Sequence, residues 1–407
     1  MMLPTTQKQK QTLLSSFLAV FFLFTTLTLP LQSSAEAPAT TQVAATTSYT
    51  LTDVVYENAY GSITYPAFFG SGDPQIDMAV NAAIFSEGKI DEKVAILNAL
   101  TEDGWGLEMT YDYYLKGPIL SILLDVKGDM GKGQYGQQYS PITYNLSTGK
   151  AITPEEVFSD VSGASSYMEE ILEAELYPTL SGYMTNDALT PIPLNHFTID
   201  DWGITFYYPS KDFSYLSGIS GSVHFLFSEL ESYLNFKKES PLLSLDIKEQ
   251  LRLSEENVQS IRQAVTTGAF PFLPVPIGVP LPQVIDAYRL LSDPDLFPSG
   301  RFIHIEDPLF RDIWLITDSL HQDFANSIVQ GIRTTRGNLF GLIVGKTTQK
   351  EWQKALGEPD SSIVLDKDAA YDYWLEPGTS DYYRFGNHQL RLHSDEKGVL
   401  SCMMILQ

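Results

Sequence analysis

The sequence predicts an α+β protein of mixed and antiparallel sheets with packed helices, whose second domain is a tandem α-β-β-β duplication. Three observations lead there. Short runs that alternate apolar and polar residues are separated by Gly, Pro and Asp turns, the pattern of hairpins. Between them lie a few stretches with apolar residues at helical spacing. Near the carboxy terminus, residues 277–295 (IGVPLPQVIDAYRLLSDPD) are echoed by residues 344–360 (VGKTTQKEWQKALGEPD), with Gly278 and Gly345 67 residues apart. At 407 residues the chain is long enough for two or three cores.

The first element is an export signal. Lys8 and Lys10 form a basic start, residues 13–31 are an apolar run without a charge, and Ser33, Ala35, Ala37 and Ala39 supply small residues for signal peptidase. Pro38 disfavours cleavage after Ala37, so Ala35 or Ala39 is the expected last residue removed, and residues 1–39 are assigned to the signal and its cleavage region. No stable membrane span is expected after cleavage; an uncleaved run is about long enough to serve as an anchor. Residues 40–48, rich in Thr and Ala, read as a tether.

Residues 49–236 form the first expected domain. Leu51, Val54 and Tyr56, then Ile63 and Tyr65, read as strands. Asp73-Pro74 is an N-cap followed by Pro at the first helical position, and Ile76, Ala79, Val80, Ala83 and Ile84 recur behind it at helical spacing. Helical structure resumes at Val94, Ile96 and Leu97 before Gly104. Residues 107–114 and 119–126 are strands around a Gly117-Pro118 turn, followed by a Gly-rich crossing at 128–136. In YNLSTGKAITPEEVF, residues 144–158, a strand ends at Tyr144, Ser147 to Gly149 turn the chain, and Thr153-Pro154 open a short helix. Ser166 with Glu169 predicts a capping box ahead of a helix reaching about Leu176. Residues 197–208 and 222–227 alternate like half-buried strands, and 228–234 close the region as a short helix.

Residues 237–274 form a connecting segment, charged but with Leu243, Leu245, Ile247, Leu251 and Leu253 still apolar, read as a helix or a strand-helix piece up to Val265. Pro271, Pro274, Pro276, Pro280 and Pro282 stiffen the boundary, and the second domain is assigned residues 275–407. Each copy of its repeat reads as a short helix opened by Gly and closed by a Pro turn, followed by about three strands, and the echo continues in SIVQGI at Ser327 and LSCMMI at Leu400.

The landmarks of residues 50–236, in their order, resemble bacterial extracytoplasmic domains of the DUF4163 and DUF3298 type. The resemblance is carried by ITYP at 63–66 with Asn81 in the following helix, by Leu120-Ser121, by residues 144–158, by FTIDDWGITFYYP at 197–209 and by HFLFSELESYL at 224–234. Their order and spacing carry it, not any single piece. Such domains occur outside the membrane in lysozyme-responsive anti-sigma factors and beside the catalytic domain of some peptidoglycan deacetylases, and in neither setting are they the catalyst. The resemblance therefore implies an envelope sensing or binding module. Those anti-sigma factors carry a cytoplasmic segment before their membrane helix, whereas only twelve residues precede Leu13, so signalling of that kind is not expected. No deacetylase motif with its Asp and His metal ligands follows. The carboxy-terminal units resemble β-lactamase-inhibitor-like and outer-membrane-assembly-lipoprotein-like domains, folds that bind proteins.

Composition narrows the partners. Formal net charge is -24, and removing Lys8 and Lys10 with the signal makes it about -26. Nucleic acid and anionic membrane surfaces are poor partners for such a field, while a basic protein, cationic peptide or divalent metal is attracted, and the acidity also keeps an exported protein soluble. Cys402 is the one cysteine, so no internal disulfide supports the fold, which fits bacterial export better than animal secretion.

The candidate chemical groups mostly have structural explanations. Asp200-Asp201 suits a turn before Trp202-Gly203, and Glu155-Glu156 suits the first turn of a helix. His388 and His393 are five residues apart, on opposite faces of an extended strand and without the spacing of a zinc pair. Asp366 and Asp368 lack the Gly and terminal Glu of a calcium loop, and Asp129 opposes phosphate binding in the Gly-rich crossing. No catalytic residue, metal ligand or cofactor is assigned. Aromatic side chains are the stronger sign of binding, because Tyr and Trp anchor interfaces and stack on sugars. Tyr207, Tyr208, Tyr382, Tyr383 and Trp374 are the candidates, with one member of each Tyr pair expected at the surface. The sequence points to an exported, non-catalytic envelope protein that binds or senses a protein or cell-wall glycan. The alternatives are a cell-wall hydrolase using carboxylates between the domains, or an inhibitor of an extracellular enzyme acting through the carboxy-terminal domain.

Overall fold

The computed structural model describes residues 49–101, 105–131, 135–175, 190–208, 221–273, 275–287, 295–297, 300–305, 311–317 and 326–407. The expected signal and tether lie outside them, as do the end of the helix expected to reach Leu176 and the middle of the Gly-rich crossing.

The amino-terminal sheet holds β1 (Thr50–Asn58), β2 (Gly61–Phe69), β3 (Leu107–Lys116), β4 (Ile119–Asp129), β5 (Tyr135–Asn145) and β6 (Lys150–Ala151) in sequence order. All neighbours pair antiparallel except β2 and β3, which run parallel because α1 (Pro74–Glu87) and α2 (Ile90–Ala99) cross between them. Asp73 caps α1 as expected, its carboxylate accepting from the Gln75 N–H with Pro74 at the first helical position. Asn81 ties that helix to β2 by exchanging two hydrogen bonds with the Phe68 backbone. One face of the sheet, with Ile63, Met109, Leu120, Ile122 and Leu124, packs with Val80, Ile84 and Leu97 of the two helices.

A three-stranded sheet, β7 (Phe197–Ile199), β8 (Gly203–Tyr207) and β9 (Ser222–Leu226), covers part of the opposite face. The alternation of β4 explains the docking. Leu120 points into the first core, while the next residue, Ser121, points the other way and accepts from the Ile199 N–H at 2.9 Å. Thr143 on β5 donates to the Phe197 carbonyl at 2.6 Å. Expected as half-buried strands, β8 and β9 are buried at every position, because the β4–β5 layer lies on one side and a second core on the other. That core joins Phe206 and Phe225 to α4 (Val161–Glu175) through Met168 and Leu172, to α3 (Pro154–Val157) through Val157, and to α5 (Phe227–Leu230) through Leu230.

Capping was half readable. Thr153 and Glu156 form a capping box on α3. Ser166 and Glu169 do not open a helix: α4 begins at Val161, where Asp160 accepts from the Gly163 N–H, so both residues lie within it. The closing helix is the single turn α5, shorter than 228–234. Residues 237–265, all described, hold no strand but a 3-10 turn (Pro241–Leu245), α6 (Ile247–Gln250) and the start of α7 (Glu255–Thr267). Leu242, Leu245 and Ile247 enter the second core, whereas Val258, Ile261 and Val265 pack in a third with the carboxy-terminal sheet.

That sheet has eight strands in the order β10 (Asp295–Phe297), β11 (Gly300–Ile305), β12 (Ile313–Thr317), β13 (Val329–Thr334), β19 (Leu400–Leu406), β18 (His388–Ser394), β17 (Gly378–Phe385) and β16 (Ser361–Leu365). A small hairpin, β14 (Asn338–Leu339) and β15 (Leu342–Ile343), sits between its halves in sequence. One half follows α8 (Leu281–Ala287) and the other follows α9 (Gln349–Leu356), and they meet where β13 pairs antiparallel with β19. Each helix is followed by four strands, one more than expected, because β13 and β19 close their runs at the centre of the sheet. Local geometry repeats with the sequence echo. Gly278 and Gly345 both have positive φ, 88° and 78°, and their N–H groups donate to Val329 and Leu400, the first residues of β13 and β19.

Candidate functional site

The alternation of the eight-stranded sheet sorts its side chains into two faces. Ile303, Leu315, Ile332, Leu390, Leu392 and Ile405 enter the third core, beneath α7 and α9. The cross-strand register places a different set on the other face: Tyr382, Arg391, Met404, Arg333, Trp314 and His304 stand opposite one another in a single row from β17 to β11. Arg391 is 4% exposed and Arg333 7%, so a row with two cations lies inside the protein.

Aromatic rings fix those cations. The Arg391 guanidinium lies 4.7 Å from the Tyr373 ring centroid and 5.2 Å from that of Tyr382, and Arg333 lies 5.5 Å from Trp374. Trp374 follows α10 (Lys367–Asp372) with a φ of 54°, uncommon for a bulky residue, which turns the chain off the helix end; its ring meets Trp314 edge-to-face at 4.1 Å. Trp314 stacks on His304 at 4.4 Å and donates its indole N–H to Asp312. Asp312 also accepts from the Thr335 N–H, and burial holds its carboxyl above the usual range.

A relay of hydrogen bonds holds Arg391. Its Nε donates to Ser380 Oγ at 3.0 Å; Ser380 meets His393 Nδ1 at 2.8 Å; His393 Nε2 lies 2.8 Å from the Glu376 carbonyl. A carbonyl only accepts, so His393 carries its proton on Nε2, and Nδ1 accepts from the Ser380 hydroxyl. Burial pushes the imidazole down to about 4, which keeps it neutral. The Nη2 atom of Arg391 and the Nε and Nη1 atoms of Arg333 are buried without a hydrogen-bond partner, and among the described residues neither arginine has a carboxylate within ion-pair distance.

A second cluster lies where the second core meets the carboxy-terminal unit. A cavity of about 10 Å³, room for one water, is lined by His224, Leu226, Phe272, Leu273, Arg311, Ile313 and Arg336. Arg311 has no exposed side-chain surface, lies 4.4 Å from the Phe225 ring, and pairs with Glu175 at 2.8 Å and Glu229 at 3.0 Å. Arg336 pairs with the same Glu229. Burial alone would raise the Glu229 carboxyl, but Arg311 and Arg336 with the Leu226 N–H bring it down to about 2. His224 is pushed down by burial and stays neutral beside the two arginines, although Asp200 opposes that shift.

The sequence-predicted residues separate accordingly. Tyr207 and Tyr208 are both buried, correcting the expectation that one reaches solvent: Tyr207 packs against Tyr139 at 5.4 Å and bonds Thr198, because β8 lies between two layers. Tyr383 is 3% exposed in the third core. Tyr382 and Trp374 are half-buried on the arginine-bearing face, Tyr382 beside Arg391 and Trp374 beside Arg333. Trp374 and Tyr371 belong to the α10 region, not to a strand, and Tyr371 is exposed. Asp200 accepts from the Trp202 and Gly203 N–H groups, the turn role expected of it, and Asp201 accepts from Tyr114 and Lys116. Asp366 caps α10, and His388 meets the Thr266 carbonyl. Among the described residues, no three His, Cys, Asp or Glu side chains converge as a metal site, and no helix is long and apolar enough to cross a membrane.

Sequence reasoning missed the buried charges Arg333, Arg391, Asp381 and Lys93. Alternation of β13 and β18 places each arginine opposite Met404, but only knowledge of strand pairing reveals it. Lys93 bonds Gln138 at 2.9 Å, and burial lowers its ammonium.

No family model and no curated protein matches the chain. Solved structures do. A DUF3298 family member from Bacteroides fragilis NCTC 9343 is 13% identical with a TM-score of 0.37, over 49% of this chain and 97% of that one. A DUF3298 family protein from Pseudomonas aeruginosa PAO1 is 11% identical with a TM-score of 0.33, over 46% and 94%. A DUF4309 family protein from Bacillus subtilis strain 168 is 14% identical with a TM-score of 0.25, over 38% and 97%.

Proposed function

We propose that the chain is an exported protein of the bacterial cell envelope that binds or senses a protein or cell-wall glycan without catalysing a reaction, and that the half-buried rings of Trp314, Trp374 and Tyr382, which border the buried arginines of the eight-stranded sheet, form its recognition surface. The row Tyr382, Arg391, Met404, Arg333 and Trp314 supports this reading. Arg, Tyr and Trp dominate the energetics of recognition, and here they are fixed by neighbours before any ligand arrives, so little side-chain entropy is lost on binding. Half-buried Trp374 and Tyr382 supply the rings at the margin. The overall negative charge keeps the face from acting as a non-specific polyanion binder.

The test is co-sedimentation of the purified full chain with isolated envelope fractions and with protein-free peptidoglycan sacculi, beside a Trp374→Ala, Tyr382→Ala double variant. Saturable binding that the double variant loses supports the reading, and the fraction that retains it separates protein from glycan. Equal binding by both forms moves recognition elsewhere on the chain.

A further inference from the structure

We propose that Arg333 and Arg391 form a binding site for one oxyanion group, a carboxylate or a phosphate, between the aromatic rings of the eight-stranded sheet. The inference rests on the recognition reading only in sharing that face.

Two buried guanidiniums stand on either side of β19, both opposite Met404, with their backbones about two strand spacings, roughly 10 Å, apart. Arginine side chains are long enough to close most of that gap. Each has buried N–H groups without a hydrogen-bond partner among the described residues, at Nη2 on Arg391 and at Nε and Nη1 on Arg333. The free Nε and Nη1 hydrogens of Arg333 lie on different edges of its guanidinium and the Nε of Arg391 is taken by Ser380, so an oxyanion there accepts single charge-assisted bonds from the two arginines and not a two-bond fork from one. Burying such charges is costly unless they are paired, and the arginines of the other cluster, Arg311 and Arg336, show the usual remedy, a shared Glu229. The Asp312 carboxylate feels the Arg333 charge, but its oxygens accept from Trp314 and Thr335. The surroundings favour a fixed site: Ser380 and the two Tyr rings hold Arg391, and the Trp374 ring lies beside Arg333.

The test is calorimetric titration of the full chain at low ionic strength with inorganic phosphate in one arm and acetate in the other, repeated on Arg333→Met and Arg391→Met. Saturable binding of either anion, weakened at least about tenfold in both variants, is expected, and the arm that responds identifies phosphate or carboxylate. Absence of saturable binding in both arms, or binding unchanged in the variants, overturns the proposal. Tryptophan emission supplies a readout if the arginine variants do not fold: an anion-dependent change that saturates in the wild type and is lost in Trp374→Phe supports the site, and no change overturns it. A positive titration with failed envelope co-sedimentation sinks the recognition reading alone; the reverse sinks the oxyanion site alone.

Discussion

Asp381 shows how much one buried carboxylate can organise. It has no exposed surface, and its two oxygens accept from Gln349, Trp352, Gln353 and Ser362, joining three positions of α9 to β16 and β17. Asp381→Ala leaves the Trp352 indole N–H buried without a partner, so a loss of about 3 kcal/mol is expected, read from the urea midpoint. A loss below about 1 kcal/mol would mean that water replaces the carboxylate there. His393 gives a pH dependence whose sign follows from its burial. Its folded pKa of about 4 lies below the ordinary 6.5, so between those values the unfolded chain binds more protons. Stability therefore falls as pH drops from 6.5 towards about 4, by up to about 3 kcal/mol for this residue. His304, held at about 4 by burial, adds to the same slope. Urea midpoints taken from neutral to mildly acidic pH should decline less in His393→Gln; identical slopes would remove His393 from the account. At this scale the sequence was readable where the partner is local. Asp200 and Asp366 serve amides two or three residues away, whereas Asp381 and Arg391 depend on partners from other elements that no window contains.

Elements were legible where their punctuation is covalent. Asp73-Pro74 starts α1, Gly117-Pro118 turns β3 into β4, and Thr153 with Glu156 caps α3, since each signal acts within one turn of chain. Ser166 with Glu169 carried the same letters but lies inside α4, because Asp160 already caps the helix earlier. The two-faced burial of β8 and β9 was hidden for a related reason: Thr205 and His224 are polar positions of those alternating segments, and only the neighbouring layer makes them interior. The β14–β15 hairpin offers a test at this scale. Gly341 has a φ of 95°, and a Cβ built on it meets the Arg252 carbonyl carbon at 2.3 Å and the Leu253 nitrogen at 2.5 Å. Gly345 also has positive φ, 78°, but a Cβ there meets nothing within 4 Å. Gly345→Ala is expected to lose about 1 kcal/mol from backbone strain alone. Gly341→Ala adds a clash against backbone, which cannot rotate away, and should lose roughly 3 kcal/mol. Equal thermal unfolding of the two variants would show that the hairpin moves away from Arg252 at little cost.

Across the whole molecule, the joint between the second core and the carboxy-terminal unit is electrostatic at its centre. The described residues from Tyr49 onward hold together as one compact unit, and the Glu229 carboxylate pairs with both Arg311 and Arg336 across that joint. Glu175 also pairs with Arg311, but its side chain is 47% exposed, so solvent screens it and its removal should matter little. Glu229→Gln keeps the shape and removes the charge, leaving two buried guanidiniums with Glu175 as the one remaining ion-pair partner among the described residues. A loss of roughly 3 to 5 kcal/mol is expected, against less than about 1 for Glu175→Gln. The form of the transition carries further information. With Glu229 intact the two sides should unfold together; without it the joint should fail first, and calorimetry should resolve two steps from one. The same joint sets an acid limit. The Glu229 pKa of about 2 lies below the ordinary 4.5, so its contribution is full above 4.5 and is lost as pH falls towards 2. Wild-type protein brought through that range should acquire the two-step unfolding of Glu229→Gln, and the variant should change little there. A single cooperative step in the variant at neutral pH would show that apolar packing, not this carboxylate, couples the two parts.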